Sequence, residues 1–291
     1  MKCPICAETY FSEWGKVQAY SILKCRACGI GLTAPFPTKE QLAELNSKNY
    51  PLEQRIQTYM SRQDYFERRY KKYVANIKQV ITDGCLLDVG CNIGLFMKVA
   101  REAGYAVKGV ELNENCAAYG RKEFHLDIYS KYLEDIAFPD ETFDVITLFD
   151  ILEHIPDIGS FVDELKRILK RNGLVVIQSP NFSSLMAELT KSDWHWLTPP
   201  DHLYHFTPET LVRFLESRGF GIKEIKTWEP AEEFSNNLIA TFRIGGFIGA
   251  ASRTLLRITG IVFAPTLLLQ KIWWRKGKGG LVEVYAIKAQ S

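Results

Sequence analysis

Beyond the turn Asp83-Gly84 this chain alternates short apolar runs with amphipathic stretches of helical period, and that alternation restricts its fold more than any other feature. The spacing predicts strand 85–89, helix 93–103, strand 106–111, helix 114–123, a short strand near 125–129, strand 143–149, helix 160–170 and strand 173–179. Strands joined through helices in this way lie parallel, and the helices cover both faces of the sheet. Asn172-Gly173 and Arg218-Gly219 are each expected to close a helix and pass the chain to the next strand. After a long loop at 181–206, Thr207-Pro208-Glu209 starts another helix, followed by strands 220–228 and 281–289.

The first strand of this series runs into Asp88-x-Gly90-x-x-x-Gly94 at a strand-to-helix junction. Glycine there lets the backbone pass close to a ligand, and the helix that follows turns N–H groups and a partial positive charge toward it. Glu111 ends the next strand, seventeen residues beyond Gly94, where a carboxylate can accept both hydroxyls of a ribose. A dinucleotide loop would read G-x-G-x-x-G, but Asn92 falls at the middle glycine. Asp88 ahead of the loop suits a cationic ligand better than a pyrophosphate.

Leu86-Leu87-Asp88-Val89-Gly90-Cys91-Asn92-Ile93-Gly94, Gly109-Val110-Glu111-Leu112, Phe138-Pro139-Asp140-Glu141-Thr142-Phe143-Asp144-Val145-Ile146 and Leu152-Glu153-His154-Ile155-Pro156-Asp157 together resemble the class I S-adenosylmethionine-dependent methyltransferase family. The resemblance covers residues 84–228, with 281–289 as a closing strand. It implies an α/β, Rossmann-like sheet of seven strands, mostly parallel with an antiparallel last strand. It also implies that Asp88, Gly90 and Gly94 line the methionine part of the cofactor, that Glu111 and Leu112 meet the ribose end, and that Phe149 and Asp150 face the reacting methyl group. The adenine contact falls near Tyr132, Glu134 and Asp135 without an assignment. Asp150-x-x-Glu153-His154 further resembles an acid-x-x-Glu-His arrangement that quinone-biosynthesis O-methyltransferases associate with a divalent metal. A helix start held by these acids is the plainer reading.

Methyl transfer is an in-line displacement, so alignment matters most, and a hydroxyl acceptor also needs a base. Histidine suits that role near neutral pH. The candidates are His202 and His205, in Pro199-Pro200-Asp201-His202-Leu203-Tyr204-His205-Phe206, and His154. Each is otherwise a structural hydrogen-bonding group. Trp194-His195-Trp196 reads equally as an aromatic wall for an acceptor or as packing of its own loop.

At the N-terminus Cys3-x-x-Cys6 and Cys25-x-x-Cys28 stand eighteen residues apart, the spacing of two zinc knuckles joined by a hairpin. Cys3, Cys6, Cys25 and Cys28 are the expected ligands of a structural Zn2+, closed to catalysis. A module of residues 1–34 has little core, so the metal supplies its folding energy. Residues 35–82 form a helical link in which Thr38 caps a short helix through Glu40 and Leu45, and Arg55 to Ile81 is expected as one amphipathic helix. Its second face, with Arg62, Arg68, Arg69, Lys71, Lys72 and Lys78, reads as solvated. Cys85, Cys91 and Cys116 lie in apolar runs, as small hydrophobes.

Residues 83–291 are expected as the catalytic domain, interrupted at 235–277 by an apolar, basic insertion. Its longest uncharged run, Ile258 to Gln270, is too short for a bilayer span of about 20 residues, and Pro265 interrupts it. The insertion reads as a helical lid or as a peripheral membrane contact through 238–276. A start without a leader-like apolar run points to the cytoplasm, at most peripheral to the inner face of the membrane. The formal charge of +2 disfavours a dedicated nucleic-acid binder. The leading expectation is therefore a methyltransferase, acting at oxygen, for a small-molecule or carrier- or lipid-linked glycan acceptor. An RNA methyltransferase reading through the zinc module has a meagre basic surplus in residues 1–34. A non-catalytic scaffold is disfavoured by the intact Asp88, Gly90, Gly94 and Glu111.

Overall fold

The computed structural model describes residues 2–38, 41–42, 52–230 and 264–289, so most of the expected insertion, residues 235–263, lies outside the described residues. The described residues form two sheets. A four-stranded sheet has the order β1 (Phe11–Val17), β2 (Tyr20–Cys25), β3 (Gly31–Ala34) and β9 (Tyr204–His205). A seven-stranded sheet is built from β4 (Gly84–Val89), β5 (Tyr105–Val110), β6 (Asp127–Tyr129), β7 (Phe143–Phe149), β8 (Leu169–Pro180), β10 (Phe220–Trp228) and β11 (Leu281–Lys288), in the order β10-β11-β8-β7-β4-β5-β6.

Central strands of such a sheet are covered on both faces and read as continuous apolar runs. Leu86 and Leu87 in β4 and Val145, Ile146 and Leu148 in β7 are all fully buried. β4 pairs in parallel with β5, setting Asp88 opposite Gly109, and with β7, setting Asp88 opposite Thr147. The strand order reverses at β4, and in open α/β sheets such a reversal opens a crevice at the carboxyl ends of the strands. Asp88 therefore lies at the crevice by topology alone.

By internal contacts the chain divides into two compact units. One comprises Thr38–Ile177, Leu215–Lys223 and Tyr285–Ser291. Here α1 (Leu52–Ser61) and α2 (Gln63–Lys78) precede β4, α3 (Leu95–Glu102) and α4 (Glu114–Phe124) follow β4 and β5, and two further helices are α5 (Leu133–Ile136) and α6 (Ile158–Ile168). The single helix expected over Arg55 to Ile81 is broken at Arg62, whose φ of −120° and ψ of 20° leave the helical region. The break lets both halves aim aromatics at one place. Tyr59 stacks on Phe66 at 4.7 Å, and Ile56, Tyr59, Met60, Phe66 and Tyr70 all pack on buried Ile93, Leu95 and Cys116. α4 begins at Asn113, whose side-chain oxygen accepts from the N–H groups of Asn115 and Cys116, satisfying two otherwise open donors. A second departure concerns Asn172. α6 stops at Ile168, and Asn172 takes its positive φ of 59° inside β8 rather than closing the helix.

The other unit comprises Met1–Pro37, Gln178–Phe214 and Glu224–Val284. Its core gathers Ile22, Phe182, Met186, Ala187, Trp194 and Leu197, with Trp14, Val17, Trp196 and Trp273 packed against them. Of the two readings of Trp194-His195-Trp196, the structure gives Trp194 to packing: it is 2% exposed in this core. The small sheet also extends past the expected boundary at residue 34, because β3 pairs antiparallel with β9 from the 181–206 loop. Among the described residues no helix is long and apolar enough to cross a membrane.

Candidate active site

β4 ends at Val89, and the turn that follows is shaped by three left-handed residues, Gly90 (φ 75°), Asn92 (φ 52°) and Gly94 (φ 81°). The N–H groups of Gly90 and Cys91 both donate to the Val110 carbonyl, at 2.7 and 3.1 Å, which ties the loop to the end of β5. At Gly90 a Cβ would stand 2.0 Å from Ile151 Cδ1, so any side chain there must displace Ile151 as well as strain the backbone. Asn92 tolerates its positive φ better than most residues, which is why the loop keeps its turn without a middle glycine.

Glu111 supports this loop directly. Its Oε2 accepts from the Asn92 N–H at 2.9 Å and its Oε1 from the Asn113 N–H at 2.8 Å. A carboxylate offers about four lone-pair positions, so these two bonds orient the group and leave capacity for a diol. Nothing in the spacing alone announces this loop-bracing role.

Asp88 is 3% exposed, and its Oδ1 accepts from the Thr147 hydroxyl at 2.6 Å. Burial pushes its carboxyl up to about 7; the Thr147 bond opposes the rise and the charge of Glu111 adds to it. An acid so placed favours a cation arriving beside it. Thr147 went unnoticed in the sequence, although its place opposite Asp88 follows once β4 and β7 pair.

Phe149 and Asp150 close β7, with Asp150 at φ 57°. The Phe149 ring is stacked on Tyr73 (4.8 Å, 19°) and meets Phe96 edge-on (4.9 Å, 76°). Arg69 Nε donates to the Tyr73 hydroxyl at 2.7 Å. Burial works against the Arg69 charge, but Tyr73 and Asp150 more than offset it and its pKa is raised. Arg69 therefore does not belong to the solvated face of its helix. It lies half-buried within reach of the Asp150 field, and the helical period misses this because α2 turns its flank, not only its apolar stripe, toward the unit. Leu112, after β5, is 48% exposed, an apolar side chain left open at the crevice end of the sheet.

The histidines fall in different settings. His154 ends a short 3-10 turn, Leu152–His154, beside fully buried Glu153 in the unit that carries the glycine loop. His202 and His205 belong to the other unit and are both buried. His205 Nε2 lies 3.1 Å from Thr33 Oγ1, and burial lowers its pKa to about 3. An imidazole so weakly basic, held against the Thr33 hydroxyl, is poorly suited to take a proton from an acceptor.

In the small sheet the four thiols converge. Cys3 and Cys28 sulfurs are 3.5 Å apart, Cys6 and Cys25 sulfurs 3.6 Å, and all four lie within 4.8 Å of one another. These distances exceed a disulfide bond of about 2.0 Å and approach the ~3.8 Å that tetrahedral ligands at ~2.3 Å from one zinc would show. Each pair is followed by a left-handed residue, Ala7 (φ 60°) and Gly29 (φ 87°), whose N–H returns to the first cysteine's carbonyl at 2.9 and 3.0 Å. These thiols could hold one tetrahedral ion. Against the effect of burial, N–H groups of Cys28 and Ala27 bring the Cys25 thiol down to about 7, whereas burial raises the Cys3 and Cys28 thiols.

Comparison with known proteins places these features. Two relatives are ubiquinone biosynthesis O-methyltransferases. That of Pasteurella multocida is 26% identical over 203 residues, covering 59% of this chain and 84% of that protein. That of Nitrobacter winogradskyi is 29% identical over 150 residues, covering 48% of this chain and only 57% of its own length. Among solved structures, a SAM-dependent methyltransferase from Archaeoglobus fulgidus superposes with a TM-score of 0.52 at 20% identity, over 79% of this chain and 99% of that one. The [4+2]-cyclase SpnF gives 0.50 at 19% identity, over 76% and 82%, so likeness at this level carries architecture and not chemistry. Residues 62–225 match the family model described as methyltransferase domain, 164 of 291 residues. Because that match takes in more than half of the chain and the strands that carry Asp88, Glu111 and Phe149, the chain belongs to the S-adenosylmethionine-dependent methyltransferases.

Proposed function

We propose that this enzyme methylates an oxygen of a small-molecule or carrier- or lipid-linked glycan acceptor, with a structural zinc held by Cys3, Cys6, Cys25 and Cys28. The cofactor supplies a methyl group on a sulfonium centre. Within the chain, Asp88 meets the ammonium end, Glu111 the ribose hydroxyls, and Leu112 and Phe149 supply apolar walls, while Asp150 borders the acceptor side. The single observation that carries the cofactor part is the bracing of the glycine loop by Glu111, which fixes the loop and keeps accepting capacity at the β5 end. With His205 neutral and buried, His154 and His202 remain the candidates to accept the proton of a hydroxyl.

Transfer to oxygen is supported by the names of the relatives above. A lipid-linked acceptor and a peripheral membrane contact are supported by α7 (Ala264–Arg275), where exposed Ile272 lies beside exposed Lys271, Arg275 and Lys276. Incubating the protein with methyl-labelled S-adenosylmethionine and separated lipid, glycan and RNA fractions tests the reading. Label in the lipid or glycan fraction, lost in Glu111→Ala, supports it. Nuclease-sensitive label would favour an RNA acceptor instead, and absence of any cofactor binding would overturn the enzyme as described. Sedimentation with anionic liposomes separately tests the membrane contact.

A further inference from the structure

β9 is two residues long, too short to hold a pairing by itself, so its order must come from the strand beside it. That strand is β3, which follows directly on the second cysteine pair. Gly31 pairs with His205 and Leu32 with Tyr204. Thr33 adds three contacts. Its N–H donates to the Leu203 carbonyl at 3.0 Å, its fully buried hydroxyl donates to the His202 carbonyl at 2.6 Å, and the same oxygen lies 3.1 Å from His205 Nε2. A hydroxyl has one proton, and with that proton on the His202 carbonyl its oxygen accepts from Nε2–H, fixing the neutral tautomer of His205. The approach also depends on Gly31, where a Cβ would come within 2.8 Å of both His205 Cβ and Phe182 Cε1.

We propose that the cysteine module anchors the 198–206 loop, with Thr33 as the positioning residue that sets His202, so that metal loading orders this loop while the cofactor loop stands independently. The cofactor loop, Asp88 and Glu111 belong wholly to the other unit, where their hydrogen bonds among the described residues include those to Val110, Asn92, Asn113 and Thr147. The use of His202 in methyl transfer rests on the function proposed above; the anchoring does not.

The test is amide hydrogen exchange and histidine-ring nitrogen NMR on the full-length zinc-loaded protein, before and after chelation, and on Thr33→Val and Thr33→Ser. Exchange at 203–206 should quicken about tenfold or more after chelation and in Thr33→Val, the scale of a lost buried hydrogen bond. The His205 ring signals should move in Thr33→Val and return in Thr33→Ser, with S-adenosylmethionine affinity held within twofold throughout. Unchanged exchange at 203–206 on zinc removal, unchanged His205 signals in Thr33→Val, equal loss of cofactor affinity, or a protein isolated without zinc would each overturn the proposal. If Thr33→Val does not accumulate, chelation of the wild type and Gly31→Ala carry the same test. Wild-type protein that fails to bind S-adenosylmethionine would overturn the proposed function and leave the exchange result standing.

Discussion

Asp88 makes cofactor affinity depend on pH in a direction and over a range that can be worked out beforehand. In the folded apo protein its carboxyl is raised from 3.8 to about 7, so it carries a proton through most of the acid range. A cationic ligand placed against it binds the ionised form, and binding must then expel the proton. If only the ionised form binds, the apparent Kd is about 100-fold weaker at pH 5 and about tenfold weaker at pH 6 than at the high-pH limit. Isothermal titration of S-adenosylmethionine at pH 5, 6 and 7, repeated in buffers of different ionisation enthalpy, measures both the affinity and the proton released. Asp88→Asn should bind weakly at every pH with no proton release, and Thr147→Val, which removes the one bond that lowers the Asp88 value, should move the midpoint upward. The same shift bears on stability. Between about pH 4 and 7 the folded protein holds a proton that the unfolded chain has released, so stability falls as pH rises across that window, by roughly 4 kcal/mol over three units. Asp88→Asn lacks this loss, and denaturant unfolding should show its stability relative to wild type improving from pH 5 to pH 7. A wild-type Kd that stays flat from pH 5 to 7, with no proton release, would refute the assignment of Asp88 to the ammonium.

Glu111→Ala should weaken S-adenosylmethionine binding by about 10- to 100-fold, since it removes one charge-assisted partner and the brace on Asn92 together; Glu111→Gln, read by the same titration, should fall between. Gly90→Ala should abolish binding while Gly90→Ala combined with Ile151→Ala recovers part of it, because the clash is with Ile151 while the strain of a positive φ remains. Tyr73→Phe should keep the stack on Phe149 and lose the Arg69 bond, at a cost of about 1 kcal/mol in thermal or chemical unfolding, whereas Tyr73→Ala should cost about 3 kcal/mol or more. Elemental analysis should find one zinc per chain, and Cys6→Ser should lower that content and expose the small sheet to proteolysis while residues 84–150 stay protected.

How much of this was legible in the sequence differs from element to element. Asp88, Gly90, Gly94 and Glu111 stand out in the sequence because their spacing along strand, turn and strand is itself the local geometry a ligand loop needs. The cysteine pairs were found for the same reason, since each knuckle closes within five residues, from Cys3 to Ala7 and from Cys25 to Gly29. Thr147, Tyr73 and Arg69 carry no such local mark. Thr147 is one apolar-strand residue among several until β7 pairs with β4, and Arg69 looks like any basic residue on a helix until α2 is packed. His205 reads in the sequence as one more loop histidine, because sequence does not record the burial that lowers its basicity. The break at Arg62 was missed because both halves keep one apolar period, and only the shared aromatic cluster requires the two axes to part.

The sequence by itself therefore determined what depends on near neighbours along the chain: the strand and helix alternation, the glycine loop with its two acids, and the four thiols in pairs. Tertiary structure alone decided what depends on strand pairing across long separations. It set Thr147 against a buried Asp88 at 59 residues' distance, and it gave Thr33 of the cysteine module the carbonyl of His202 at 169. Those contacts have no periodicity to betray them, because they arise where two distant strands meet and not from the geometry of either one.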